Sequence, residues 1–426
     1  MIGCLLLLGS LMAGQAGAAA NQQLPADVAR LVRQLDAAPL ADRDAAEAEL
    51  LRRGPAILGL LPTESERVPA EVRQRLGRVR QKLQRAEVLA ATEASTVTLH
   101  AQDILLSNAL AAIEQQSGNR IVDARRRFGE PVTNPALSLE FNANPFWEAL
   151  DEVLAAAGMT VYPYCEQREI DVVAARAGSQ AARFGRACYR GPFRFELVRV
   201  LASRDLREGD HGSLQVTLQA AWEPRLSMID LVQRLTDVEA VDERGRLLPL
   251  ADRQAQLDVP VSGNAPVVEL NLPFRRPERD VAKIARLKGK LTAVMPGKIE
   301  TFRFTQLATA RNVEKRFAEA TVVLEQARKT RDGLEVRMRV RFDHPGDALA
   351  SHRTWIFNNE ARLEDRQGRS IAYSSYETTL QKRDEVGLAF QFKVAQPFDE
   401  MMFVYQTPAM IVAKDFEYEF RDLPLP

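Results

Sequence analysis

The chain has 426 residues, 57 basic against 57 acidic side chains, and 46% apolar residues. That length accommodates two to four domains with ordinary cores. The balanced, interspersed charge gives no basic face or stripe of the kind nucleic acid needs, and no segment beyond the N-terminus has the ~20 apolar residues of a membrane span.

Residues 1–20 read as a secretory signal peptide: an apolar run from Ile2 to Met12, then the small residues Ala13 to Ala20. Cleavage is expected after Ala18 or Ala20. The basic n-region is missing, and Cys4 stands too early for a lipoprotein cleavage box. Export to the periplasm or cell envelope is the expectation. Once the leader is removed, Cys165 and Cys188 remain. In an exported chain they can pair, a link worth about 3 kcal/mol; two separate buried thiols are the alternative.

Residues 25–92 are expected to be helical. Val28, Leu31, Val32 and Leu35 share one stripe, and Ala45, Ala46, Ala48, Leu50 and Leu51 a second, stopped by Gly54-Pro55. Ile57, Leu58, Leu60 and Leu61 follow. A longer charged helix then carries Val72, Leu76, Val79, Leu83 and Ala86 on one side. This pattern resembles a single helix-repeat unit of the HEAT type, which needs neighbours to bury its face.

The period changes over residues 95–176. A strand at Val97 to His100 leads into a helix capped by Ser107, carrying Leu110 and Ile113 and ended by Gly118. Strands are predicted at Arg120 to Val122 and Leu137 to Phe141. A second helix opens on Asn144 as cap and Pro145 as first residue, with Phe146, Leu150, Val153 and Leu154 inward and Gly158 as its stop. Two strands close the order β-α-β, β-α-β-β. Val97-Thr98-Leu99, Leu106 to Leu110 and Gln116 to Val122, with the matching Leu137 to Phe141, Phe146 to Leu150 and Ala157-Gly158-Met159, resemble the short N-terminal domain of secretins and TonB-dependent receptors. The resemblance implies a module that binds a protein or peptide in the cell envelope and has no active site. The secretin channel and the receptor barrel have no counterpart, so those roles do not carry over.

From about Arg194 onward one β-rich unit is written twice. Asp242-Glu243-Arg244-Gly245-Arg246 and Asp365-Arg366-Gln367-Gly368-Arg369 mark corresponding turns, and Glu300 to Phe304 and Phe416 to Phe420 close the copies alike. Alternating runs such as Leu214-Val216-Leu218 and Leu334-Val336-Met338-Val340 predict half-buried antiparallel strands. Two tandem Ig-like β-sandwiches are expected, over 188–307 and 308–426, making the whole chain multidomain α+β. The joined pieces also resemble exported multidomain proteins of planctomycete-type bacteria.

No residue set carries catalysis, and neither a cofactor nor a metal is expected. His344 in Asp343-His344-Pro345-Gly346-Asp347, with His352 nearby, reads as turn composition. Gly289-Lys290 and Gly297-Lys298 lack the remainder of a phosphate loop and read as hairpin turns. Arg125-Arg126-Arg127 reads as a solvated surface, and Trp147, Trp222 and Trp355 as core. The expected function is a non-enzymatic envelope scaffold with a protein or peptide partner, without nucleic acid and without an integral membrane span once the leader is gone. The alternatives are a hydrolase or carbohydrate-active protein with a site between domains, or an accessory subunit of an envelope secretion machine.

Overall fold

A computed structural model describes residues 25–62, 69–164, 167–175, 187–204, 212–261, 265–331, 333–345, 348–349, 355–394 and 401–426. The expected leader, Cys165, His211, Asp347 and His352 lie outside these residues. Among the described residues no helix is long and apolar enough to cross a membrane.

The chain is mixed α+β, with a helical N-terminal part followed by several sheets. Helix α1 spans residues 25–34, α2 Leu40–Arg52 and α3 Ala70–Ala91, with a 3-10 turn at Pro55–Leu60. The predicted stripes meet in one core of Val28, Leu31, Leu35, Leu50, Val79 and Leu83. Gly54 takes φ 74, a left-handed backbone that suits glycine, and the chain turns there. The buried Arg75 ties α2 to α3 by donating to Asp44 at 2.8 Å and Glu47 at 2.9 Å.

The next module runs β1 (Thr96–Leu105), α4 (Leu106–Ser117), β2 (Ile121–Asp123), β3 (Ala136–Pro145), α5 (Phe146–Ala157), β4 (Met159–Val161) and β5 (Ile170–Ala174). This is the order that the periodicities predict. Backbone landmarks recur 40 positions apart: Asp103 and Ala143 at φ 56 and 54, and Gly118 and Gly158 both at φ 71. β1 pairs with β3, while β5 lies between a parallel β2 and an antiparallel β4. Both expected helix caps are corrected. Ser107 lies inside the first turn of α4, where its amide donates to Asn134 Oδ1 from a neighbouring loop at 2.9 Å. Pro145 precedes α5 rather than opening it; Asn144 Oδ1 accepts from Asn142, and the Phe146 amide donates to Ser95 O at 2.8 Å.

The duplicated region supplies β6 (Ala187–Arg190), β7 (Phe193–Arg204), β8 (Gly212–Trp222), β9 (Asp230–Arg234), β10 (Glu239–Asp242), β11 (Gln256–Pro260), β12 (Val267–Arg275), β13 (Lys283–Pro296) and β14 (Ile299–Phe304). The second copy supplies β15 (Arg311–Phe317), β16 (Ala320–Thr330), β17 (Gly333–Phe342), β18 (Ala361–Glu364), β19 (Ser370–Ala372), β20 (Ser375–Gln381), β21 (Glu385–Phe392), β22 (Met402–Pro408) and β23 (Ile411–Pro424). The sheet β12-β8-β7-β6 has its counterpart in β21-β17-β16-β15, to which β20 is added. Each of these sheets shares a core with a second sheet, built on β13 in one case and β22 in the other.

The duplication extends to single hydrogen bonds. Asp242 Oδ1 accepts the amides of Arg244 and Arg246, both at 2.8 Å, and its Oδ2 accepts Arg246 Nε at 2.6 Å. Asp365 repeats this with Gln367 and Arg369, both at 2.9 Å, and Arg369 Nε at 2.7 Å. Gly245 and Gly368 sit at φ 77 and 75, where a side chain would strain the turn. The Arg369 amide heads the contacts that hold the Asp365 carboxyl below the usual range.

The copies are contiguous in sequence but not in sheet membership. β14 closes the first copy in sequence, yet it pairs with β22 of the second. β23 ends the second copy, yet it pairs along β13 of the first. The pairing keeps one register from Lys283↔Pro424 through Pro296↔Ile411 to Phe304↔Phe403. Between the two stretches the Gly297 amide donates to Met410 O at 2.9 Å, and the Ala409 amide to Lys298 O at 2.8 Å. One two-stranded ribbon therefore runs through both sheet pairs. Phe416, Tyr418 and Phe420 enter the first core, and Phe302 and Phe304 enter the second. Each such side chain, moved out of water, stabilises its host core by roughly 1.5–3 kcal/mol.

Candidate functional site at the strand crossover

α3 lies across the point where the ribbon passes between the sheet pairs. Polar contacts to Lys414, Glu319 and Arg225 hold it there. Lys414 Nζ, on β23, donates to Thr92 Oγ1 at 2.8 Å and Glu93 Oε1 at 2.7 Å. Gln81 donates to the buried Glu319 at 3.1 Å. Arg225 donates to Ala91 O at 2.7 Å and also to Glu93 O.

Arg225 belongs to a buried network that joins three modules. Glu223, fully buried beyond β8, accepts from the Ser95 amide at 2.9 Å, Ser95 Oγ at 2.6 Å, Asn119 Nδ2 at 2.9 Å and Arg225 Nε at 2.6 Å. A second network docks α5 on β7: Arg194 bridges Asp151 and Glu196, each at 2.7 Å, and Tyr189 donates to Asp151 at 2.7 Å. Burial, followed by the Asp151 charge, pushes the Tyr189 phenol well above its ordinary range, so it stays protonated and serves as a donor.

Between α3, the ribbon and the loop after β8 lies a cleft of ≈ 410 Å³. Val88, Ala91, Leu226, Met295, Ile299 and Met410 give it an apolar lining. Gln84, Arg225 and Lys298 contribute polar groups, with Lys298 paired to Glu300 at 3.1 Å. Gln84 Oε1 is buried with no hydrogen-bond partner, so it is an open acceptor beside apolar walls. The cleft can hold an apolar group that carries a donor.

The structure places the residues singled out in the sequence elsewhere, with one exception. Gly297-Lys298 borders the cleft, but not as a hairpin turn. Gly297 is the point where the ribbon crosses, and a Cβ there would lie 2.5 Å from Met410 Cγ. Gly289 is likewise no turn: it lies inside β13 beneath Tyr418, in register with that residue. Arg125 departs from the solvated-surface reading, being 3% exposed and bonded to Asp123 and Thr133. His344 is exposed, and among the described residues no group of three or more His, Cys, Asp or Glu is placed to hold a metal. Trp147 and Trp222 are buried in cores; Trp355 packs against one and donates to Ala348 O at 2.6 Å. Cys188 is buried in the first sheet-pair core, and its expected partner Cys165 lies outside the described residues. The crossover cleft went unseen in the sequence. The one available signal was the likeness of the two closing motifs, which does not say which sheet each joins. No family model, curated protein or solved structure matches the chain.

Proposed function

We propose that the chain is an exported cell-envelope protein that acts as a non-enzymatic, protein-binding scaffold. The observation that carries this reading is the shared ribbon. It couples the two sheet pairs into one body, and the Glu223 and Arg194 networks fix the α/β module to that body. Such a frame holds binding surfaces at set distances. The 40-position recurrence supports reading residues 95–176 as a secretin-type module that binds protein or peptide. The single helical core supports a HEAT-like unit that presents its outer face to a partner. Export brings with it the proposed Cys165–Cys188 link.

The test is cross-linking in cells that carry the full gene, followed by fractionation of the envelope. Mature protein starting at Ala19 or Asn21, linked to a defined envelope protein, is the expected result. A Tyr418→Asp variant, which charges the ribbon, should lose that link. Intact Met1 in the cytosol, or saturable turnover of an envelope polymer by the purified chain, would contradict the reading.

A further inference from the structure

The α/β module carries a feature that the scaffold reading leaves unused. The outer face of the three-stranded sheet β2-β5-β4 is overlaid by the turn at residues 124–129. The Ala124 amide donates to Val172 O at 2.9 Å, and Gly129, at φ 68, returns the chain. This turn sets Phe128 against Tyr162, ring centroids 4.7 Å apart, and Tyr162 meets Tyr164 edge-on at 5.6 Å. The aromatic set is not core. Phe128 is 44% exposed and Tyr164 70%. An open cluster of large rings is unusual on a protein surface and marks a contact site.

Polar groups of both kinds lie beside these rings. The Tyr162 amide donates to Asp171 O at 2.8 Å, so the two residues are cross-strand neighbours on one face. Asp171 is 1% exposed; its Oδ2 accepts from Arg127 at 2.6 Å, but its Oδ1 has no partner. Glu169, also buried, pairs with Arg120 at 3.1 Å. The Arg127 and Arg120 side chains are 55% and 67% exposed and keep guanidinium donors turned to solvent. An orphaned buried carboxylate oxygen calls for a donor. A phosphate or carboxylate ligand has none, and the two acids would repel it.

We propose that Phe128, Tyr162 and Tyr164, together with Arg127 and Asp171, form a binding site for a neutral glycan. A sugar ring presents C–H groups to an aromatic face and hydroxyls that both donate and accept. It matches ring, guanidinium and carboxylate at once. Arg127 holds Asp171 Oδ2 and shifts to admit a sugar hydroxyl that donates to the unpartnered Oδ1, while its remaining guanidinium donors reach other ligand hydroxyls. Tyr164, the most exposed ring, supplies the stacking platform.

The full mature chain is run on native gels cast with soluble neutral polysaccharides: a β-1,4-glucan, a glycol chitin and an α-glucan. Parallel gels contain polyuridylate or a glutamate-rich peptide. At least one neutral polysaccharide should retard the protein. Tyr164→Ala should weaken that retardation by about tenfold, the loss of one stacking contact. Tyr164→Phe should retain it, and Tyr376→Ala, which alters an exposed ring on the second sheet pair, should leave it unchanged. The exposure of Tyr164 makes its replacement harmless to folding, which thermal melts of each variant verify. No retardation by any neutral polysaccharide, retardation by polyuridylate or the acidic peptide alone, or retardation indifferent to Tyr164→Ala would overturn the proposal.

Discussion

Gly289 sits beneath the Tyr418 ring, and a Cβ built there would lie 2.2 Å from the phenol oxygen. Tyr418 cannot retreat, because its hydroxyl donates to Gln233 at 2.9 Å and its ring packs on Phe195 at 5.3 Å. Gly289→Ala should therefore cost about 1–3 kcal/mol through overpacking. Urea unfolding checks this, and an unchanged midpoint would mean that β23 does not lie there. Glu223 is the second telling residue. Its replacement by Ala leaves Ser95 and Asn119 without that acceptor, while Arg225 keeps Ala91 O and Glu93 O, and a loss of about 1–3 kcal/mol is expected in the same assay. Neither role could be read from composition. Gly289-Lys290 looks like a turn until the partner strand is known, and Glu223 looks like any surface acid beside a proline.

At the scale of single elements, β17 carries a buried carboxylate whose charge the local packing requires. Glu335 accepts from Arg328 at 2.6 Å, Arg337 at 2.8 Å and Gln391 at 2.8 Å, and the Arg328 contact is the largest reason its carboxyl falls from 4.5 to about 2. A depressed carboxyl stabilises the fold fully above the unfolded value and loses that contribution as pH falls towards the folded one. The melting temperature of the wild-type chain should thus decline between pH 4.5 and about pH 2. Glu335→Gln should decline less over that interval; parallel curves would refute the assignment. Helices and strands themselves were largely legible. Val72, Leu76, Val79 and Leu83 form the buried face of α3, and Gly118 and Gly158 end their helices as expected. Ser107 and Asn144 were misassigned as caps because residues distant in sequence, Asn134 and Ser95, satisfy the first amides of those helices.

On the scale of the whole molecule, the strand alternation of Phe302 and Phe304, or of Phe416 and Tyr418, states which face is buried. It does not state against which neighbour, since a period of two fits any core with a free edge. The duplication was legible, whereas the exchange of closing strands was not. Its consequence is cooperative: residues 188–307 alone lack β23, and residues 308–426 alone lack β14. Residues 188–426 should melt in one sharp transition. Either half expressed separately should expose its core and bind a hydrophobic dye; a sharp melt of an isolated half would contradict this coupling.

The most direct measurement is an engineered disulfide, in a chain whose own cysteines are replaced. Lys288 faces Glu419 across the ribbon, and directly opposed strand residues lie within disulfide range. Lys288→Cys combined with Glu419→Cys should oxidise to an intrachain link, identified by peptide mass mapping, in the folded monomer. If instead Lys288→Cys links to a cysteine placed at Arg303, the equivalent position on β14, the first copy closes with its own strand and the shared ribbon does not exist.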